Sequence, residues 1–221
     1  QGRENFHIGD GSTMIYRRKG EYDLVRVGWD WRCVPGITTK QRTGTLPLVP
    51  WGEYYYSNNR IAGGVSDGNV SIGAFKLDRK GPQTKALKSY FSFDDAIICI
   101  RNSVSDTTTV AGDVYTTINQ TERRTDTHFM VNNEAEKIIP LSSNEITNLD
   151  IRSASWFWQD SIGYIVLPKD KVETSLIMTT STRRANWLRL DGRNPDSVET
   201  ANIFQLSINH GITGAGKDDS Y

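Results

Sequence analysis

The chain has 221 residues, 37% of them hydrophobic and 10% aromatic, and is long enough to bury a sizeable core without a covalent staple. Its 26 Lys+Arg balance 26 Asp+Glu for a formal net charge of +0. That balance argues against a nucleic-acid or membrane surface built on bulk charge, while leaving room for a local basic groove. Two cysteines, Cys33 and Cys99, make no disulfide framework, and no apolar run approaches the roughly 20 residues of a membrane span.

Gln1 opens directly in polar, strand-like sequence without a secretory leader, as expected of a processed chain or of a piece of a longer one. Helix signals are nearly absent. Apolar residues alternate or cluster in runs of four to eight, rich in Thr, Val, Ile, Tyr and Trp and punctuated by Gly, Asn and Asp. The pattern predicts strands near Ser12–Tyr16, Val25–Trp31, Val70–Leu77, Ala86–Phe93, Ala96–Ser103, Val114–Ile118 and His128–Val131. Others follow near Ser155–Trp158, Ile162–Val166, Glu173–Thr179 and Ala201–Ile208. An antiparallel meander of this kind implies an all-β fold, a large antiparallel β-sandwich forming one domain over residues 1–221.

Within that frame, Ile8 to Thr13 reads as a loop in which Asp10 caps backbone amides. In Gly28-Trp-Asp-Trp-Arg-Cys-Val-Pro-Gly36, strand alternation puts Trp29 and Trp31 on one face and Asp30 on the other. A Pro35-Gly36 turn follows, Gly36 supplying positive φ. Two such rings bury area; aromatic faces beside a loop also stack on sugars. Trp51, between Pro50 and Gly52, sits in a loop rather than at a buried strand position. The run Lys88 to Ile100 predicts a hairpin turning at Asp94–Asp95, both flanks apolar enough for the centre of a sheet. Asn132–Lys137 and Arg189–Thr200 read as polar surface loops. Candidate cationic patches are Arg17, Arg18 and Lys19, then Arg123 and Arg124, then Arg183 and Arg184, each of which is also a reasonable solvated turn.

Reactive chemistry is harder to find. There is no phosphate loop before a helix and no Gly-x-Ser-x-Gly elbow. His7, His128 and His210 share no metal-ligand spacing, and His210 at a strand end reads as structural. Asp94 and Asp95, adjacent in a turn, point apart and make a poor acid/base pair. The default for Cys33 and Cys99 is a pair of buried free thiols, with a bridge open if their strands adjoin.

The order of short motifs carries more. Ile8-Gly-Asp-Gly-Ser-Thr13 is followed by Trp29-Asp-Trp31 with Val34-Pro-Gly-Ile-Thr-Thr39, then by Ala62-Gly-Gly-Val-Ser-Asp-Gly68. After these come Lys85 to Asp95, Thr116-Thr-Ile-Asn-Gln120 and Ile208-Asn-His-Gly211. The series resembles the central β-domain of polysaccharide lyase family 8, the chondroitin, hyaluronate and xanthan lyases. The resemblance implies a supersandwich of galactose-mutarotase-like kind, preceded by an N-terminal α/α toroid and followed by further strands and a C-terminal β-domain, all outside this chain. It implies a secreted enzyme that cleaves an acidic, uronate-containing polysaccharide by β-elimination in a cleft between toroid and sandwich. The base, the acid and the Asn/His pair would lie on the toroid. The other reading is a non-catalytic carbohydrate-binding or structural β-module.

By residue, the resemblance makes Glu4 and Asn5 weak catalytic candidates, since a gapless match leaves the assisting Glu/Asn pair ahead of Gln1. Trp51, Arg17 and Arg18 are the substrate-binding candidates. Some members bind calcium near the Trp-x-Trp stretch. Here Asp30 matches one ligand, but Arg32 and Gln41 stand where acids would be needed, so no metal and no cofactor is expected. The expected partners are an acidic polysaccharide and the toroid, with no nucleic acid and no membrane span.

Overall fold

In a computed structural model, residues 4–48, 58, 60–79, 81, 83–169 and 172–212 are described. The strands are β1 Thr38–Lys40, β2 Ala62–Ser66, β3 Ser71–Leu77, β4 Thr84–Ser92, β5 Ile97–Asp106, β6 Val114–Glu122 and β7 Thr127–Met130. They continue with β8 Lys137–Ile139, β9 Glu145–Ile151, β10 Ser155–Gln159, β11 Ile162–Val166, β12 Thr174–Asn186 and β13 Val198–Asn209. The only helical turns among the described residues are short 3-10 segments at Val25–Gly28 and Trp187–Arg189.

All pairing is antiparallel. A five-stranded sheet has the order β1-β6-β13-β12-β9, and two four-stranded sheets run β11-β10-β7-β8 and β2-β3-β4-β5. The first two form the sandwich. Phe129, Phe157, Tyr164 and Val166 of one sheet close on Leu176, Met178, Phe204 and Leu206 of the other, with Phe129 and Phe157 stacked at 6.0 Å. The opposite side of the five-stranded sheet, at Ala201 and Ile203, is covered by the segment that holds Tyr22, Val25, Trp29, Trp31, Val34 and Ile37. A smaller cluster of Leu77, Ala86, Val104 and Val114 joins the β2–β5 sheet to the rest.

Two expected strands are absent. Ser12–Tyr16 carries no ladder, and Val25–Trp31 is a 3-10 turn followed by turn residues. Trp29 and Trp31 still share an environment, both buried with ring centroids 5.3 Å apart, but a turn brings them together rather than strand alternation. Arginines from elsewhere take up the backbone carbonyls there. Arg183 donates to Gly28 O and Arg189 to Val27 O and Trp29 O, so this stretch needs no strand partner. The Pro35-Gly36 turn forms as expected, with Gly36 at φ +85°. A Cβ on Gly36 would lie 2.4 Å from Thr13 N, so glycine is required by space as well as by φ.

The Asp94–Asp95 hairpin forms, closed by Phe93 N donating to Ala96 O at 2.8 Å. However, β5 is an edge strand of its sheet, not a central one, and Cys99 on it is exposed; only Cys33 is buried, and both are free thiols. The meander expectation holds for β2–β5 alone. In the main sheet β13 inserts between β6 and β12. Between β10 and β11 the two-residue turn Asp160-Ser161 has φ of 45° and 73°, the primed geometry usually left to Asn-Gly. It is held because the Asp160 carboxylate accepts from Arg124 N and Thr125 Oγ1, each at 2.8 Å.

Candidate functional site: an arginine cluster on the sandwich

The segment after the Asp10 loop carries Tyr16, Arg17 and Arg18 across the face of the sandwich. Arg17 is fixed by Glu21: its amide donates to Oε2 at 2.8 Å, its Nε to Oε1 at 2.6 Å, and its terminal nitrogen to the same Oε1. Burial alone would push the Glu21 carboxyl up; the bonds from Arg17 outweigh it and hold the group below the ordinary carboxylate range. Arg17 is raised in turn, its burial outweighed by the Glu21 bond. Arg18 reaches β6, donating to Glu122 Oε2 at 2.5 Å, and Arg124 donates to that same oxygen at 2.9 Å. Two guanidiniums thus share one carboxylate at the surface, with Lys19 exposed beside them and the Asp160 carboxylate on the Arg124 amide. Tyr16 lies 61% exposed at the same place, edge-on to Tyr22. Planar cations beside an open aromatic ring are suited to holding a carboxylate or sulfate on a sugar.

The other cationic pairs separate. Arg123 is buried, and its guanidinium is spent on Thr127 Oγ1 and on the carbonyls of Ile139, Pro140, Leu141 and Ser143. Arg183 is bound to Gly28 O, Gln120 Oε1 and Ser181 Oγ. Neither lines a groove. The convergence of Arg18 with Arg124 has no signal in sequence, because it depends on a shared carboxylate more than a hundred residues from Arg18.

Glu4 is paired with Arg189, Nε to Oε1 at 3.0 Å, while Asn5 is exposed and its carbonyl accepts from Ile8 N. Trp51 lies outside the described residues. Asp10 is an ion-pair centre rather than an amide cap: His7 Nδ1 is 2.6 Å from Oδ2 and Arg79 Nε 2.6 Å from Oδ1. His210 is structural, with Nε2 3.2 Å from Thr116 Oγ1, and Asp94 and Asp95 remain exposed turn residues. Around Asp30, Oδ1 accepts from Arg32 N and faces the Arg32 guanidinium at 3.7 Å, and the Gln41 amide donates to Arg32 O. A guanidinium against the one acid does not fit the oxygen shell of a hard cation. Among the described residues no group of three or more His, Cys, Asp and Glu could hold a metal ion. Burial pushes the phenols of Tyr22, Tyr90, Tyr115 and Tyr164 up, so none of these four is poised to take a proton.

The whole chain, residues 1–221, matches polysaccharide lyase family 8, super-sandwich domain. The chain belongs to that family. It is 30% identical over 206 residues to chondroitinase-AC of Pedobacter heparinus, covering 93% of this chain and 27% of that protein. A chondroitinase AC lyase solved with oligosaccharides superposes with a TM-score of 0.80 at 27% identity, over 96% of this chain and 29% of that one. A Paenibacillus xanthan lyase gives 0.69 at 19% identity, over 100% of this chain and 21% of that one. The Streptomyces coelicolor chondroitin AC lyase in complex with chondroitin sulphate gives 0.65 at 19% identity, over 98% and 26%; at this identity the last two speak for the fold alone. The chain thus spans about a quarter of the length of the relatives it matches.

Proposed function

We propose that residues 1–221 are the sandwich portion of a secreted polysaccharide lyase that cleaves a uronate-containing polysaccharide by β-elimination, and that they form one wall of its substrate cleft. Membership of the lyase family over the whole chain carries this reading. In the reaction a base takes the proton from C5 of the uronate, the C4–C5 double bond forms, and the bond to O4 breaks as an acid protonates the leaving oxygen. The phenols of Tyr22, Tyr90, Tyr115 and Tyr164, all pushed toward their protonated forms, are poorly suited to act as that base, and we assign base and acid to the toroid. The part played here is binding: Arg17, Arg18 and Arg124 face the polyanion, and Trp51 is the candidate for stacking on a sugar. The carboxylate of Glu4, already held by Arg189, would orient groups from the toroid rather than accept the C5 proton.

The test is an assay of full-length protein on chondroitin, hyaluronan and xanthan, following the unsaturated uronate near ~232 nm, the region of conjugated carboxylates. A rise on one of them supports the reading. No rise on any, with binding retained, makes this a non-catalytic glycan-binding module. The 221-residue chain alone should give no turnover, and measurable lysis by it would refute placement of the base elsewhere.

A further inference from the structure

The β2–β5 sheet ends on a strand that has the sequence of a central one. Ile97, Ile98, Cys99 and Ile100 are four apolar residues in a row, and all four are exposed. Ile98 and Ile100 share a face with Phe91 and Ser89, their partners across the ladder, while Ile97 and Cys99 lie on the other face with Ser92 and Tyr90. Such a run fits a strand covered on both faces and flanked on both sides. The other edge strands among the described residues are guarded. β1 and β8 have three residues each, β2 and β11 five, and β9 carries Glu145, Asn148 and Asp150. β5 has ten residues, and its first four include no charge, no proline and no bulge.

The phase of the ladder shows which backbone groups wait at this edge. Phe93 N donates to Ala96 O, so Phe93 and Ala96 are a hydrogen-bonded pair. Alternation then makes Phe91–Ile98 and Ser89–Ile100 hydrogen-bonded pairs, and turns the amides and carbonyls of Ile97 and Cys99 outward, away from β4. A helix cannot take up that row of groups, whereas a strand can. The apolar row Val65, Ile72, Phe91, Ile98 crosses all four strands and stops at the same edge, where one more strand would continue it with an apolar side chain.

The source of that strand follows from what lies beside β5. Val104, on β5 itself, belongs to one cluster with Leu77, Ala86 and Val114. Val114 N donates to Gly211 O and His210 N to Val114 O, so the chain beyond Gly211 leaves beside the Val104 end of β5. From there a strand can run back antiparallel along Cys99 and Ile97. The chain spans about a quarter of the length of its relatives. A strand tethered to the same polypeptide acts at roughly millimolar effective concentration, ahead of any second copy.

We infer that β5 is paired in the full-length protein by a strand from the polypeptide that follows residue 221, antiparallel to β5 and apolar on both faces. Site-resolved hydrogen exchange of the unmodified full-length protein tests this. The amides of Ile97 and Cys99 should exchange at least ~100-fold more slowly than unstructured amides, as those of Ile98 and Ile100 do through their bonds to β4. A photoreactive benzoylphenylalanine in place of Ile97 should cross-link to a peptide beyond residue 221. C99P removes an outward N–H and no bond to β4. It would leave an open edge almost untouched, but should lower the melting temperature of a paired one by several degrees. Fast exchange confined to Ile97 and Cys99 overturns the inference, whatever the proline variant does. So does an unchanged melting temperature in C99P, or a cross-link only to residues ahead of Gln1 or to a second copy.

Discussion

Arg17 and Glu21 close a loop on each other from both main chain and side chain. The Arg17 amide takes one carboxylate oxygen at 2.8 Å while its guanidinium takes the other, and the Glu21 side chain is fully buried. The glutamate is thus what lets a guanidinium stay at this surface in a fixed orientation. Exchanging Glu21 for Gln should lower the unfolding free energy by about 3 kcal/mol, as for a broken buried pair, measured by urea titration of the 221-residue chain. Because the Glu21 carboxyl is held low, its contribution is complete above the unfolded value near 4.5 and is lost as pH falls through the lower folded value. The gap between the chain and E21Q should therefore narrow below pH 4. A gap unchanged by acid would show that the pair is not the cause.

Lys88 behaves in the opposite sense. It is buried on β4, where Nζ donates to Gly36 O at 2.5 Å and Asp10 O at 3.3 Å, tying the β2–β5 sheet to both loops. Burial, and then the charge of Arg101, depress its pKa from 10.5 to about 7, against the pull of Asp10. Between those values the folded lysine is neutral and the unfolded one charged. The native state therefore gains stability as pH rises from 7 toward 10.5, by up to about 1.4 kcal/mol per unit. The difference in unfolding free energy between the chain and K88M should carry that slope over this range. A difference that is flat from pH 7 to 10 would put Lys88 in its charged form throughout.

Gly36 and Gly44 make a matched pair, at φ of +85° and +83°. Only Gly36 is crowded, by Thr13 N and Gly11 O; a Cβ at Gly44 meets nothing within 4 Å. G44A should cost the left-handed backbone term alone, about 1 kcal/mol. G36A should cost at least ~2 kcal/mol more, because backbone atoms must move apart. Equal melting temperatures for the two variants would contradict the close packing of the 11–13 loop on the Pro35-Gly36 turn.

For the arginine cluster, if the full-length protein has the proposed lyase activity, R18A and R124A in it should each raise KM for an acidic polysaccharide several-fold and flatten its dependence on salt, with kcat little changed. Glu122 makes the control. E122Q releases both guanidiniums from their shared carboxylate and should tighten binding at low salt. Weaker binding in E122Q would mean that orientation of the guanidiniums matters more than their charge.

Trp51 in the full-length protein should behave as a stacking residue. W51A should raise KM roughly tenfold and leave the melting temperature in place. A sharp fall in melting temperature with unmoved KM would make it a packing residue.

Much of the sandwich was legible because strands buried on one face alternate, as Ser155 to Gln159 do, and because Asp94-Asp95 and Pro35-Gly36 are strong turn chemistry. The failures share a cause. Val25–Trp31 alternates like a strand, but its carbonyls are met by Arg183 and Arg189, partners that only the folded chain supplies. Ala62–Ser66 was read as a glycine motif and Glu145–Ile151 was too polar to register, yet both pair along their whole length; β2 carries two glycines, and β9 is an edge strand with its outer residues in water. Of the site, Arg17 and Arg18 were visible as charges. That Arg123 would be consumed by four carbonyls while its neighbour Arg124 joined Arg18 depends on which way each side chain leaves the end of β6, and a pair of adjacent arginines does not encode that.

The position of β13 also sets an order on synthesis. The main sheet runs β1-β6-β13-β12-β9, so the last strand among the described residues is the one that joins its two halves. Until residues 198–209 leave the ribosome, β6 and β12 each present an open edge, and the apolar side chains of β12 lack Phe204 and Leu206 to close on. The main sheet therefore closes late, only once β13 has been made, rather than strand by strand as the chain emerges. A nascent chain that pauses before Val198 would hold two incomplete half-sheets, the form in which this protein is most exposed to aggregation and most in need of a chaperone.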